Sequence, residues 1–339
     1  MLKRINKVAV IGSGIMGGGI AALCASAGIK TLLLDIVPFD LKDEEKNDPK
    51  ARNRIVEMGL QGQIKAKPAA FMDTKVDPAN IVTGNLEDDF DKLKGCDLIV
   101  EVIVENLKIK QSLFSRLEKI MTPDMIIASN TSGLPLANMA EGRTQQFKEN
   151  FLITHFFNPV RYMKLLEIVP GKDTKKEIVD LISAWGEKIL GKGIVIGNDT
   201  PNFIGNRIGV HSLAVMVNTI KDSGVTLEEV DAVFGPPLGR PRTGVFGLAD
   251  LVGLDTMHHL LVNSHELLPN DEARETYSVP DWFQKMIDAK LFGNKTKAGF
   301  YKKELTADWK KKKLKYNLET GEYVDSIKSP ELDCLKAAK

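Results

Sequence analysis

The sequence predicts an α/β fold: a doubly wound, mostly parallel sheet followed by an all-helical second domain. Three observations carry this. Over residues 7–197, short apolar runs alternate with segments of helical periodicity. One of those runs, DLIVEVIV at residues 97–104, is almost continuously apolar, as a strand buried on both faces requires. From about residue 199 the apolar spacing becomes helical.

Residues 8–11 read as the first buried strand. Gly12, Ser13, Gly14, Ile15, Met16 and Gly17 then spell G-x-G-x-x-G, and small and apolar residues continue at helical spacing to Ala27. Gly28 is placed to end that helix, residues 31–34 give a second strand, and Asp35 closes it 18 residues after Gly17. Each part suits a bound dinucleotide. Gly12 permits a tight turn, Gly14 lets the backbone approach a pyrophosphate, and Gly17 lets helix and strand pack closely. The helix start at Ile15 and Met16 offers free N–H groups and a positive dipole end to the phosphates. Asp35 is placed to accept from ribose hydroxyls and to repel a 2′-phosphate, which favours NAD over NADP. The uncharged stretch 8–29, preceded by Lys3, Arg4 and Lys7, also has the outline of a leader or a membrane span. Six of its 22 residues are glycine, however, and its removal would cut away the first strand of an intact unit.

Residues 37–95 interrupt the alternation. Residues 37–50 are charged, hold Pro38 and Pro49, and read as a loop; residues 49–73 read as a poorly regular helical excursion weakened by Gly59 and Gly62. A short strand is expected at 81–83. An insertion this long exceeds a mere connector, and we expect it to reach over the site and touch substrate. Order resumes with a helix at 108–120, a strand at 125–128 and a short helix at 134–140. Strands follow at 151–156 and 165–169, then a helix at 175–190 and a last strand at 194–196. Beyond them, one long helix is expected over 202–221 with Asp199 or Thr200 as N-cap, then helices at 227–234, 246–265 and 280–289. Residues 316–324 suit a hairpin turning at Thr320-Gly321, and 329–339 the start of another helix. The domains are thus 1–198, with its excursion at about 37–95, a helical 199–302, and a polar extension at 303–339.

Forty-six basic residues face 45 acidic ones, a net charge of +1 that calls for neither nucleic acid nor a membrane surface. Cys24, Cys96 and Cys334 are too scattered for a disulfide framework or a zinc site, and no metal site is expected. A reducing, cytoplasmic setting fits this usage. His258, His259 and His265 lack H-E-x-x-H spacing and read as structural. Taken singly, Lys110, Lys295 and the run 310–313 read as solvated charges.

In an open α/β sheet, ligands bind beyond the carboxyl ends of the strands. The polar residues there are Glu105 and Asn106, then Asn130, Thr131 and Ser132, then His155 with Asn158, with Glu167 in the neighbouring strand and Asn206 early in the long helix. His155 is the only histidine of the α/β half, and moving a hydride from an alcohol to NAD requires removing the hydroxyl proton, which suits an imidazole. Glu167, the acid in the apolar strand LLEIVP, needs a partner; it would fix the imidazole tautomer or serve as a structural pair. Ser132 also suits a cap for the helix at residue 134.

These residues carry a resemblance. The string Thr154-His155-Phe156-Phe157-Asn158-Pro159 with Glu167 downstream resembles the L-3-hydroxyacyl-CoA dehydrogenase family. So do EVIVENLK at 101–108, Ser129-Asn130-Thr131-Ser132, DTPNFIGNR at 199–207 and Val252-Gly253-Leu254-Asp255. The match runs in order from residue 7 to about 302. It implies oxidation of (S)-3-hydroxyacyl-CoA to 3-oxoacyl-CoA with NAD, the third step of fatty acid β-oxidation. It implies His155 as general base, Glu167 as its orienting acid, and Ser132 and Asn206 on the substrate's oxygens. Asp35 matches a ribose-binding acid; Glu105, Lys110 and Asn158 match positions bordering the nicotinamide half, with Asn130 in the same strand-end cluster; Asn158 also borders the substrate. Lys295 matches a lysine near the cofactor. The chain departs from the family in Gly133, where a second serine is common, and in the insertion, so no CoA contact is carried over there. The tail resembles a bacterial multidomain type, which implies fusion to an enoyl-CoA hydratase portion, whereas the family's single enzymes imply a homodimer; the implied substrate is an acyl-CoA thioester. Two other readings stay open: an NAD-dependent dehydrogenase of a free hydroxy acid or sugar acid, and an NAD-binding protein without turnover.

Overall fold

A computed structural model describes residues 4–305, 309, 311–327 and 330–337. Lys3, Lys310 of the basic run, and residues 329, 338 and 339 of the expected last helix lie outside the described residues. The chain divides into two compact units, Met1–Ile204 and Gly205–Lys339.

The first unit runs β1 (Lys7–Ile11), α1 (Ile15–Ser26), β2 (Lys30–Asp35), α2 (Pro49–Arg52), α3 (Arg54–Ile64), β3 (Ile81–Asn85) and β4 (Leu98–Glu101). It continues through α4 (Leu107–Glu118), β5 (Ile126–Ser129), α5 (Leu136–Met139), α6 (Gln145–Glu149), β6 (Phe151–Phe156), β7 (Leu165–Pro170), α7 (Lys176–Lys188) and β8 (Gly193–Ile196). The eight strands form one sheet in the order β3-β2-β1-β4-β5-β6-β7-β8. Every neighbouring pair is parallel except β6 with β7. The chain order reverses between β1 and β4, so two mononucleotide-sized halves meet there and ligands are received beyond the strand ends.

Alternating side chains feed two cores. Val8, Val10, Leu33 and Val100 face α1 and α7, while Ala9, Ile11, Leu32 and Ile99 face α4. Helix α1 ends where Gly28 takes φ +78°, a left-handed value that glycine adopts without a Cβ clash. The excursion is more regular than expected, and Gly59 has a packing reason. A Cβ there would lie 2.4 Å from the Ser13 carbonyl oxygen, so glycine lets α3 press onto the glycine turn.

Two helix expectations are corrected. The helix expected over 202–221 begins only at α8 (Gly205–Thr219), because Asn202 (φ 64°) and Phe203 (φ 46°) are left-handed. Asp199 does not cap it. Its carboxylate accepts the Leu136 and Ala137 N–H groups at 2.8 and 3.1 Å and so caps α5. The helix expected over 246–265 is broken in two at Gly253 (φ 110°).

The second unit contains α8, α9 (Leu227–Val233), α10 (Phe246–Val252), α11 (Leu254–Leu267), α12 (Asp281–Asp288), the sheet β9 (Tyr301–Leu305), β10 (Lys311–Tyr316) and β11 (Tyr323–Asp325), and α13 (Asp333–Ala337). The antiparallel sheet has the order β11-β10-β9. In the lysine run, Lys312 and Lys313 are exposed, as the solvated face that the sequence suggests requires. Lys312 pairs with Asp325 at 2.5 Å, and the Lys313 ammonium sits 3.4 Å from the Tyr301 ring centroid. Just beyond the run, Lys315 pairs with the buried Glu228 at 2.9 Å. Among the described residues, no helix is long and apolar enough to cross a membrane.

Candidate active site

The glycine turn has the geometry its spacing demands. Gly12 takes φ +104°, and a Cβ there would meet the Val102 carbonyl oxygen at 2.5 Å; a Cβ on Gly17 would meet the Gly12 oxygen at 1.9 Å. At Gly14 a Cβ would meet nothing within 4 Å, so this backbone faces open space. Helix α1 has no side-chain cap and no acid in its first turn, leaving its N–H groups and dipole for an anion. Ile15 is largely exposed there and Met16 packs against the core. Asp35, at the end of β2, takes the Ser13 N–H and hydroxyl on Oδ2, both at 2.6 Å, and the Ile36 N–H on Oδ1 at 2.7 Å. Each carboxylate oxygen has two lone pairs, so with three of the four taken one acceptor position remains, on Oδ1, for a ribose hydroxyl.

His155 and Glu167 stand directly opposite each other on the antiparallel strands β6 and β7. The His155 Nδ1 lies 2.6 Å from Glu167 Oε2, and both side chains are buried. Glu167 Oε1 accepts the Ile204 N–H at 2.9 Å, so the carboxylate is held at both ends. The rings of Phe157 and Phe203 flank the imidazole edge-on, at 4.5 and 5.6 Å. Phe203 is turned inward by the left-handed backbone at 202–203 that delays α8. A carboxylate on Nδ1 selects the tautomer with its proton there and leaves Nε2 as the basic nitrogen.

Lys110 overturns the solvated-charge reading. It is 1% exposed, and its ammonium lies 2.6 Å from Oε1 of the fully buried Glu101 and 3.3 Å from Oε2 of Glu105. Glu101 also accepts the Ile103 N–H at 2.8 Å and the Ser129 hydroxyl at 2.5 Å. Glu105 accepts the Thr131 hydroxyl and the N–H groups of Ser132 and Gly133 at 3.1 and 3.2 Å. Burial pushes the Glu105 carboxyl upward, but the Thr131 hydroxyl and Lys110 outweigh it and hold it below the usual range.

Ser132 is exposed and caps nothing: the Thr131 hydroxyl oxygen takes the Leu134 N–H at 3.0 Å instead. Asn130 accepts the Phe156 N–H at 2.9 Å, tying the end of β5 to the end of β6 beside His155. Asn158 is exposed two residues beyond β6. In the second unit, Asn206 is half-buried in the first turn of α8 and lines an apolar groove of about 380 Å³ with Leu213, Leu248 and Leu260. Lys295 is exposed and paired with Asp255 at 2.8 Å and Thr256 at 3.1 Å. His258 bonds Gln284 at 2.9 Å. Among the described residues, no cluster of three metal-ligating side chains exists. Sequence reasoning missed Glu101 and Ser13. The signal for Glu101 was present: one acid inside an otherwise apolar strand has to be paired.

Two family descriptions match the chain: "3-hydroxyacyl-CoA dehydrogenase, NAD binding domain" over residues 7–200, and "3-hydroxyacyl-CoA dehydrogenase, C-terminal domain" over residues 203–303. A probable 3-hydroxyacyl-CoA dehydrogenase of Bacillus subtilis is 44% identical over 345 residues, covering 100% of this chain and 43% of that protein. One of Deinococcus radiodurans is 42% identical, covering 88% of this chain and 83% of that one. The chain thus spans less than half of the Bacillus relative and most of the Deinococcus one. The crystal structure of M. tuberculosis FadB2 superposes with a TM-score of 0.72 at 27% identity, covering 88% of this chain and 99% of that one.

Proposed function

The chain belongs to the 3-hydroxyacyl-CoA dehydrogenase family, and on that premise we propose that it oxidises (S)-3-hydroxyacyl-CoA to 3-oxoacyl-CoA with NAD. The observation that carries this reading is the 2.6 Å contact of His155 with Glu167 at the end of β6, in the sheet that also bears the glycine turn. His155 takes the substrate hydroxyl proton on Nε2. Glu167 keeps the other ring proton on Nδ1 and stabilises the imidazolium that forms. NAD supplies the acceptor for the hydride. Gly12, Gly14, Ile15, Met16 and Gly17 hold its pyrophosphate, and Asp35 its ribose. The open backbone at Gly14 and the uncapped start of α1 support this fit. Glu105, Lys110, Asn130 and Asn158 border the nicotinamide half, and Lys295 is a further residue proposed for the cofactor. Ser132 and Asn206 bond the substrate's oxygens at the reacting end, where donors would stabilise the negative charge that develops on the C3 oxygen as its proton leaves; Asn158 borders the substrate.

The reading extends to setting and partners. Cys24 and Cys96 are free buried thiols, which suits a reducing, cytoplasmic compartment. The greater length of the Bacillus relative supports a longer parent chain, in which fusion to an enoyl-CoA hydratase portion is the proposed arrangement and a homodimer the alternative. The test is formation of the reduced nucleotide, NADH from NAD or NADPH from NADP, with (S)-3-hydroxybutyryl-CoA against free 3-hydroxybutyrate. Turnover confined to the thioester with NAD is expected. Equal turnover of the free acid would replace the proposed substrate class.

A further inference from the structure

Beyond the His155 pair, the buried ion pair Glu101–Lys110 forms a charged cluster with Glu105. It sits at the end of β4 and in the start of α4. Because the strand order reverses between β1 and β4, the first half of the sheet serves the adenosine side of a dinucleotide and β4 opens the other side. The cluster therefore belongs to the half that faces the nicotinamide. It holds two carboxylates against one ammonium, a net charge of about −1: Glu101 and Lys110 are buried, and Glu105 is half-exposed at the mouth of the cluster.

We propose that Glu101, which the reaction itself does not touch, is a positioning residue that sets the charge of the nicotinamide subsite. Through Lys110 and Glu105 it also fixes the backbone of Ser132. The proposal rests on the NAD reading above. The chain of contacts is continuous. Glu101 anchors Lys110 at 2.6 Å, Lys110 reaches Glu105 at 3.3 Å, and Glu105 holds the N–H groups of Ser132 and Gly133 at 3.1 and 3.2 Å. The Ser129 hydroxyl and the Ile103 N–H orient the Glu101 carboxylate from the other side. The oxidised nicotinamide is a cation and the reduced ring is neutral. An excess negative charge beside it therefore favours NAD over NADH, an effect that packing alone does not produce.

The substitution Glu101→Gln keeps the shape. Its amide oxygen can still take Lys110 and the Ile103 N–H, and its amide nitrogen can donate to Ser129. It removes only the charge. The measurement is the pair of dissociation constants for NAD and NADH by fluorescence titration, in wild type, Glu101→Gln and Ser129→Ala. We expect Glu101→Gln to raise the NAD-to-NADH ratio of Kd values roughly fivefold, the size of a unit charge removed at subsite distance in a partly screened site. Ser129→Ala, which leaves the charge in place, keeps the wild-type ratio. An unchanged ratio in Glu101→Gln overturns the proposal, as does an equal shift in Ser129→Ala. Should Glu101→Gln fail to fold, the half-exposed Glu105→Gln decides: a rise in the ratio upholds the proposal, and no rise overturns it. Wild type that binds neither nucleotide overturns the NAD reading itself, and this inference with it.

Discussion

Replacing Glu167 by glutamine probes the pair on which catalysis is proposed to rest. The carboxylate does two tasks: Oε2 meets His155 Nδ1 at 2.6 Å, and Oε1 takes the Ile204 N–H at 2.9 Å. A glutamine has one oxygen for both. If that oxygen keeps Ile204, the amide nitrogen faces Nδ1 and forces the ring proton onto Nε2, where the base must be free. If it keeps His155, the Ile204 N–H is left against a donor. In either case the imidazolium loses its counter-charge. Unit charges about 4 Å apart interact by about 4 kcal/mol at an effective dielectric constant of about 20. Turnover should therefore fall about 10³-fold. The assay is steady-state reduction of acetoacetyl-CoA with NADH, alongside NADH titration. The account expects kcat to fall by that factor with the NADH Kd unchanged. A kcat within tenfold of wild type would refute the reasoning and leave Glu167 a packing role.

Three further outcomes follow from the geometry. Gly59→Ala places a methyl group 2.4 Å from the Ser13 carbonyl oxygen, so despite better helix propensity it should disturb the Ser13–Asp35 contact and weaken NADH binding about tenfold, read by fluorescence titration. Lys110→Met leaves two carboxylates without their cation and should cost about 3–5 kcal/mol in urea unfolding. Burial, with Asp231 adding like charge, raises the Asp250 carboxyl to about 6 although it accepts the Phe300 and Tyr301 N–H groups at 2.8 Å. A folded pKa above the unfolded value of 3.8 gives a contribution that is full below pH 3.8 and lost as pH rises through 6. The stability of wild type relative to Asp250→Asn should thus decline by about 3 kcal/mol between pH 4 and 7, measured by urea midpoints.

What the sequence discloses depends on how local the cause is. The glycine turn, the helix behind it and Asp35 are legible because strand, turn and helix follow within 30 residues and each imposes its own residue type. The meeting of His155 with Glu167 is nearly as legible, since neighbouring strands in an apolar sheet leave an acid and an imidazole few other partners. Lys110 is misread from its helix alone: a lysine at that spacing looks solvated until β4 brings Glu101 beneath it. Asp199 looks like the cap of the helix that follows it, yet it bonds the start of α5, 62 and 63 residues away. Gly59 looks like a helix weakness and is a close approach to Ser13. In each case the cause is a contact across the fold, which periodicity does not encode.

The central claim is that His155 acts as the base for a 3-hydroxyacyl thioester on an NAD-bound sheet. The most direct test is the turnover of (S)-3-hydroxybutyryl-CoA with saturating NAD by His155→Gln, with NADH affinity measured on the same protein. The account predicts turnover lower by at least about 10³-fold with nucleotide affinity retained. Near-normal turnover in that variant would contradict it.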